Sequence, residues 1–163
     1  DMTAAHRLAR LDASRFSESE KALGSMNVEE VYYTNSVKLP VGTALEASEK
    51  ARVEGLLQGG LIRGATTDIW LGAARPKPER LAVLVSRGFY QTKCAALKFS
   101  PEFTICLSCQ ATARGLLTEC PHCGSTRVDG LAQATNRFSR TSPWPRWKLA
   151  ELRRRKREEG AEE

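Results

Sequence analysis

Four cysteines set the terms on which this 163-residue chain can fold: Cys106-Leu-Ser-Cys109, a ten-residue gap, then Cys120-Pro-His-Cys123-Gly124. A Cys-x-x-Cys turn presents two thiolates to one metal ion. Two such turns complete a tetrahedral shell around Zn²⁺, with bonds of about 2.3 Å and no open position. A closed shell is structural, because catalytic zinc keeps a place for water. Cys106, Cys109, Cys120 and Cys123 are therefore the expected ligands of one structural Zn²⁺. Gly124 suits a tight turn that needs positive φ, and Pro121 stiffens the loop beside it. His122 could replace a cysteine, but the four-sulfur set needs no substitute. A disulfide framework fits less well, since all four lie in one short stretch with nothing resembling a secretory signal before them. Metal-ligand spacing points to a reducing compartment, hence the cytoplasm. The fifth cysteine, Cys94, sits in an apolar run and is expected as a small buried hydrophobe.

The charge is uneven in a way that bears on partners. Between Arg127 and Arg157 ten Lys or Arg face only Asp129 and Glu151, so this stretch carries the whole of the +6 excess and the rest of the chain is net negative. The protein is not basic in general; its C-terminal part is. No apolar run approaches about 18 residues, so no membrane span is expected. The chain does not begin with methionine and starts as if already inside a helix, which favours a piece of something longer.

Periodicity supplies the coarse plan. Residues 3–16 carry a narrow apolar stripe of Ala4, Leu8 and Leu11, with arginines opposite and His6 on the surface of a helix. Residues 17–30 are polar and acidic, a loop or frayed helix. Val31 to Val41 is rich in β-branched and aromatic residues and reads as a strand closed by Pro40. Thr43-Ala-Leu-Glu46 is a capping box that opens a helix running to Leu57 or Gln58 and stopping at Gly59-Gly60. Leu61–Leu71 reads as a strand, Glu79–Phe89 as either a buried strand or a helix begun by proline, and Lys93–Phe99 as a short strand. Lys148 to Glu163 reads as a terminal helix with Glu151 four residues before Arg155.

Several of these segments together resemble one family. Tyr32-Tyr33-Thr34-Asn35-Ser36 with Leu39-Pro40-Val41, a helix bearing Glu54, Gly59-Gly60, Phe99-Ser-Pro-Glu-Phe-Thr-Ile105, the cysteine knuckles and Arg146-Trp147-Lys148 follow an order similar to the C-terminal third of anaerobic, class III ribonucleotide reductases. The resemblance runs from about Arg7 to Arg157. It implies an α/β fold: the C-terminal part of a ten-stranded α/β barrel of the glycyl-radical enzyme type, then a small zinc-ribbon module and a basic tail helix. The corresponding divisions are residues 1–99, 100–135 and 136–163. The implied activity is reduction of a ribonucleoside triphosphate to its deoxy form by radical chemistry. A glycyl radical on a C-terminal loop, held by the zinc module, generates a cysteine thiyl radical. The thiyl cysteine, the ribonucleoside triphosphate and ATP sites and most of the barrel would belong to a missing N-terminal portion. An iron–sulfur, S-adenosylmethionine-dependent activating enzyme is the implied partner. Thr34, Asn35 and Ser36 are candidates for a substrate-facing loop, or for a turn that satisfies its own backbone.

One departure from the family is severe. Its radical loop carries an Arg-x-x-Gly-Tyr signature, yet this chain has no glycine between Gly130 and Gly160. Aligning Arg146-Trp147 and Pro143 places Ser139 at the radical position; sliding the alignment offers Asn136 or Ser142. A side chain twists the planar α-carbon centre that such a radical needs. No catalytic residue is therefore assigned, and the chain alone is expected to be inactive. Three alternatives stand beside the reductase reading. One is a non-catalytic zinc-binding relative with a binding or regulatory role, which the missing glycine supports. Another is a nucleic-acid-binding zinc ribbon, using the run Arg153–Arg157 with Trp144 and Trp147 to stack on bases. The last is an unrelated α/β zinc protein. Weak, sequence-independent binding to nucleic acid, if any, is the expectation for the tail.

Overall fold

The structure is a computed structural model that describes residues 2–16, 27–62 and 65–158. It is a mixed α/β protein of two compact units. The first joins residues 1–43 to 144–155, and the second joins 44–143 to 156–163. Among the described residues no helix is long and apolar enough to cross a membrane.

In the first unit, helix α1 (Met2–Arg15) forms where helical spacing predicts it, but it buries another stripe. Ala5 and Ala9 are buried, Ala9 completely and against Val31, whereas Leu8 and Leu11 stay half exposed. Small residues let the following segment lie close along the helix. That segment, Val31 to Val41, is not the expected strand. Among the described residues no ladder partner runs beside it; instead Tyr33 N donates to Ala5 O at 3.4 Å and Ser36 adopts φ 65°. His6 is likewise not a surface group. Its Nδ1 lies 2.6 Å from Val31 O, and its ring stacks on Trp147 with centroids 5.5 Å apart. Most of the expected loop or frayed helix at 17–30 lies outside the described residues. The C-terminal helix of this unit spans Arg146–Arg154, well short of Glu163.

In the second unit, helix α2 (Ala47–Gln58) ends where Gly59 was expected to end it but begins late. The capping box does not form. Thr43 donates both its amide and its hydroxyl to Pro40 O, closing a turn, and the helix starts only three residues later with Glu46 at its N-cap. Strand β1 (Thr67–Gly72) is shorter than expected and buried throughout. The ambiguous segment is a helix, α3 (Pro78–Gln91), with proline in its first turn, where a missing amide costs nothing. Strand β2 (Leu97–Pro101) pairs with β1 in parallel, Ile69 opposite Phe99, so β1–α3–β2 is a parallel crossover unit. Ala47, Ile69 and Leu71 pack with Leu84 and Phe99 to form its core. Cys94 is buried as expected, in polar company: its thiol lies 3.6 Å from Thr67 Oγ1, which accepts a 3.0 Å bond from Gln58 Nε2.

A second sheet follows without a break. It orders β4 (Thr112–Arg114), β3 (Phe103–Cys106), β5 (Val128–Ala134) and β6 (Arg137–Arg140), all antiparallel. Ser100 of β2 donates to Gln133 of β5 at 2.7 Å, tying the two sheets together. Strand β6 was not anticipated from a segment rich in serine and proline. It exists because β5 turns back at Thr135–Asn136, with Thr135 at φ 58°. A β-branched residue there is strained by about 1–2 kcal/mol. Thr135→Gly relieves this at an entropic cost of about 0.5–1 kcal/mol. A net gain of about 0.5–1 kcal/mol in a denaturant titration is the expected outcome.

Candidate metal centre

The four cysteines converge because β3 delivers the first of them at its last residue and two matching turns deliver the rest. In the first turn Cys106 N donates to Ala111 O at 2.9 Å and Gln110 N donates to Cys106 O at 3.1 Å. In the second, Cys120 N donates to Ser125 O and Gly124 N to Cys120 O, both at 2.9 Å. The residue after each turn is left-handed: Gly124 at φ 68°, as the sequence predicts, and Gln110 at φ 61°, which it does not. Ser108 Oγ and Ser125 Oγ, 2.9 Å apart, join the two knuckles.

All four sulfurs lie within 4.8 Å of one another and could hold a metal ion. Cys106 Sγ to Cys123 Sγ and Cys109 Sγ to Cys120 Sγ are both 3.7 Å. Four sulfurs at about 2.3 Å from one Zn²⁺ stand about 3.8 Å apart along the edges of a tetrahedron. A disulfide needs about 2.05 Å, and all the cysteines are free. The donor set and its spacing therefore fit a thiolate-bound metal. His122 is exposed and does not join the cluster. Cys106 and Cys120 are buried while Cys109 and Cys123 face outward, so the site lies at the rim of the sheet.

Without a metal, the surroundings pull the Cys106 and Cys123 thiols in opposite directions. The Cys109 amide, with the Ser108 amide and the Cys109 and Cys123 thiols behind it, outweighs burial and holds the Cys106 thiol down to about 6. At Cys123 the Ser125 amide favours ionisation, but the Cys109 thiol, burial and the Cys106 and Cys120 thiols together push it up to about 12. The depressed Cys106 value stabilises the fold above the ordinary thiol range, and that contribution is lost as pH falls through about 6. The raised Cys123 value stabilises it below that range, and is lost as pH rises through about 12. In the metal-free chain ionisation is therefore favoured at Cys106 and disfavoured at Cys123. Uptake of Zn²⁺ is expected to release protons, that of Cys123 among them, measurable with an indicator dye in weak buffer.

The other candidates lie elsewhere. Thr34 and Asn35 lead into a bend at Ser36–Val37 in the first unit. Ser139 sits in β6 opposite Ala132, Asn136 in the hairpin turn, and Ser142 donates its amide and hydroxyl to the carboxylate of buried Asp129 at 3.1 and 2.8 Å. The basic tail is also different from its expectation. Past helix α4, the Arg146–Arg154 helix, Arg155 pairs with Glu151 at 3.1 Å, both buried, and Arg157 pairs with Glu102. Arg153 bonds Glu30 at 3.1 Å and Arg154 lies 5.9 Å over the Tyr32 ring. Trp144 and Trp147 are buried, Trp144 under the Lys148 ammonium. Arg153 keeps 59% of its side chain exposed, while Trp144 and Trp147 are turned inward. Glu102 was missed from the sequence, though a single carboxylate between Pro101 and Phe103 is a signal for a buried charge with a partner.

A family model described as anaerobic ribonucleoside-triphosphate reductase matches residues 3–157. Among solved structures the chain is similar to one titled anaerobic ribonucleotide reductase, with a TM-score of 0.60 and 18% identity. That match covers 98% of this chain and 23% of the other, so the chain spans about a quarter of that protein's length. At this identity the likeness shows the fold alone. No curated protein matches the chain.

Proposed function

The chain belongs to the anaerobic ribonucleoside-triphosphate reductase family, and from that premise we propose that it is the C-terminal region of such an enzyme. One observation carries the reading: within the family-matched stretch, a parallel β1–α3–β2 unit runs directly into the four-cysteine sheet. A parallel crossover unit is the repeating element of an α/β barrel. Residues 1–99 would then contribute to a ten-stranded barrel, 100–135 would form a zinc-ribbon module, and 136–163 a degenerate radical-loop segment with its tail. Cys106, Cys109, Cys120 and Cys123 would hold Zn²⁺ with no position left for water, so the metal would supply structure and not chemistry. Reduction of ribonucleoside triphosphates, the nucleotide and ATP sites, and docking of an iron–sulfur activating enzyme in the cytoplasm belong to the assembled reductase. Thr34, Asn35 and Ser36 would face its substrate.

A second reading has its own support. The absence of glycine between Gly130 and Gly160, with Ser139 tied into a hairpin, favours a relative that keeps the zinc fold without radical chemistry. Co-expression with the N-terminal three quarters of an anaerobic reductase tests the first reading. A stable complex on size exclusion is expected. Two separate species would overturn it and leave the non-catalytic relative.

A further inference from the structure

Glu102 sits at the step between β2 and β3 and is 2% exposed. Three ties meet at this residue. Its amide donates to Gly72 O at the end of β1 (2.9 Å), and its carbonyl accepts Gly115 N just past β4 (2.8 Å). Its carboxylate takes Arg157 through Nε at 2.8 Å and Nη2 at 3.2 Å. Arg157 in turn lies on β1: it bridges Trp70 in parallel, and Glu158 N donates to Trp70 O at 2.8 Å. Gly72, at φ 56°, makes the room, since a Cβ there would stand 2.7 Å from Arg157 Cδ. Residues 157–158 thus lie as a strap along the edge of β1 that β2 does not use.

We propose that Glu102 is the latch of this strap and that a metal ion on the four cysteines holds the latch closed. Strand β3 runs from Phe103, the neighbour of Glu102, to the ligand Cys106, and pairs Phe103 with Arg114, the neighbour of Gly115. A metal that fixes Cys106 therefore fixes the short β3–β4 ladder, and with it the Gly115–Glu102 bond. When the sulfurs lose the metal, that three-pair ladder loses its anchor and Glu102 loses the backbone tie that aims its carboxylate. A buried carboxylate must keep both guanidinium donors or become hydrated, so the strap opens as a unit. The coupling is reciprocal: a closed strap raises metal affinity by the factor by which metal favours closure. The inference rests on the cysteine cluster taking a metal, and is independent of the reductase reading.

The test uses the full chain, zinc-loaded or treated with chelator, under limited trypsin. Cleavage after Lys156 in the strap is read against cleavage after Arg52 in α2. Chelation is expected to speed the Lys156 cut about tenfold, within the usual span of coupling between sites, and to leave the Arg52 rate unchanged; added zinc restores protection. In the zinc-loaded protein Glu102→Gln speeds the same cut and weakens zinc by a matching factor against a competing chelator. Arg157→Lys, which keeps the charge and loses the two-pronged geometry, gives the same pattern more weakly. Unchanged protection on chelation, equal acceleration at Arg52, or unaltered zinc affinity in both variants each overturns the coupling. A zinc content near zero in the untreated protein overturns the metal reading and the coupling together.

Discussion

A chain carrying Cys106→Ser or Cys120→Ser is expected to lose the fold of residues 100–135. The sheet there has strands of four, three, seven and four residues. Its buried side chains are short: Thr104, Cys106, Ala132 and Ala134, the polar Asp129, and Cys120 in the knuckle. Such a module buries too little apolar surface to stand by itself. Thiolate ligation supplies an apparent 10–16 kcal/mol or so in zinc-finger peptides, far beyond what these side chains contribute. The intact chain should carry one zinc by elemental analysis, with sulfur-only ligation in X-ray absorption. The variants should lose the metal and the amide protection of β3 and β5. Protein purified without chelator and holding no zinc would sink the claim.

The second large effect concerns the radical. Joined to a complete N-terminal barrel and treated anaerobically with an activating enzyme and S-adenosylmethionine, the chain is expected to show no glycyl doublet in electron paramagnetic resonance and to form no deoxynucleotide. Ser139, the aligned position, carries a side chain and is paired with Ala132 in a hairpin. Asn136 and Ser142, the neighbouring candidates, sit in a turn and on the Asp129 carboxylate. None offers a planar, unhindered α-carbon on a free loop. Ser139→Gly alone should not restore the signal, because the strand still holds the backbone and the following tyrosine is absent. A doublet mapping to residues 136–147 in the unmodified chain would prove the alignment wrong.

What the sequence made legible was what spacing encodes directly. Two Cys-x-x-Cys turns and a Gly-Gly stop depend on neighbours along the chain, and each stands close to where it was expected; the proline-led segment, left open between strand and helix, is a helix. The failures were settled by contacts that periodicity does not encode, some near in sequence and some far. Val31–Val41 has the composition of a strand but lies along α1, because small Ala5 and Ala9 leave room for it. Thr43 has the spacing of a cap but gives its hydroxyl to Pro40. The tail has helical periodicity to its end, yet Glu102, more than fifty residues earlier, takes Arg157 out of the helix. Strand β6 escaped notice because nothing in Arg-Phe-Ser-Arg alternates cleanly; β5 alone makes it a strand.

Strand β6 also closes its sheet in a second sense. It is the outer strand on that side, and Arg137 and Arg140, one at each end, are exposed. An open strand edge invites another chain to add to it, and charged residues placed there oppose such growth through repulsion and the cost of stripping water from them. The two arginines therefore act as end-stops, keeping a small four-stranded sheet from seeding a larger one between molecules. Removing their charge would make concentration, and no longer sequence, the limit on how far that sheet extends.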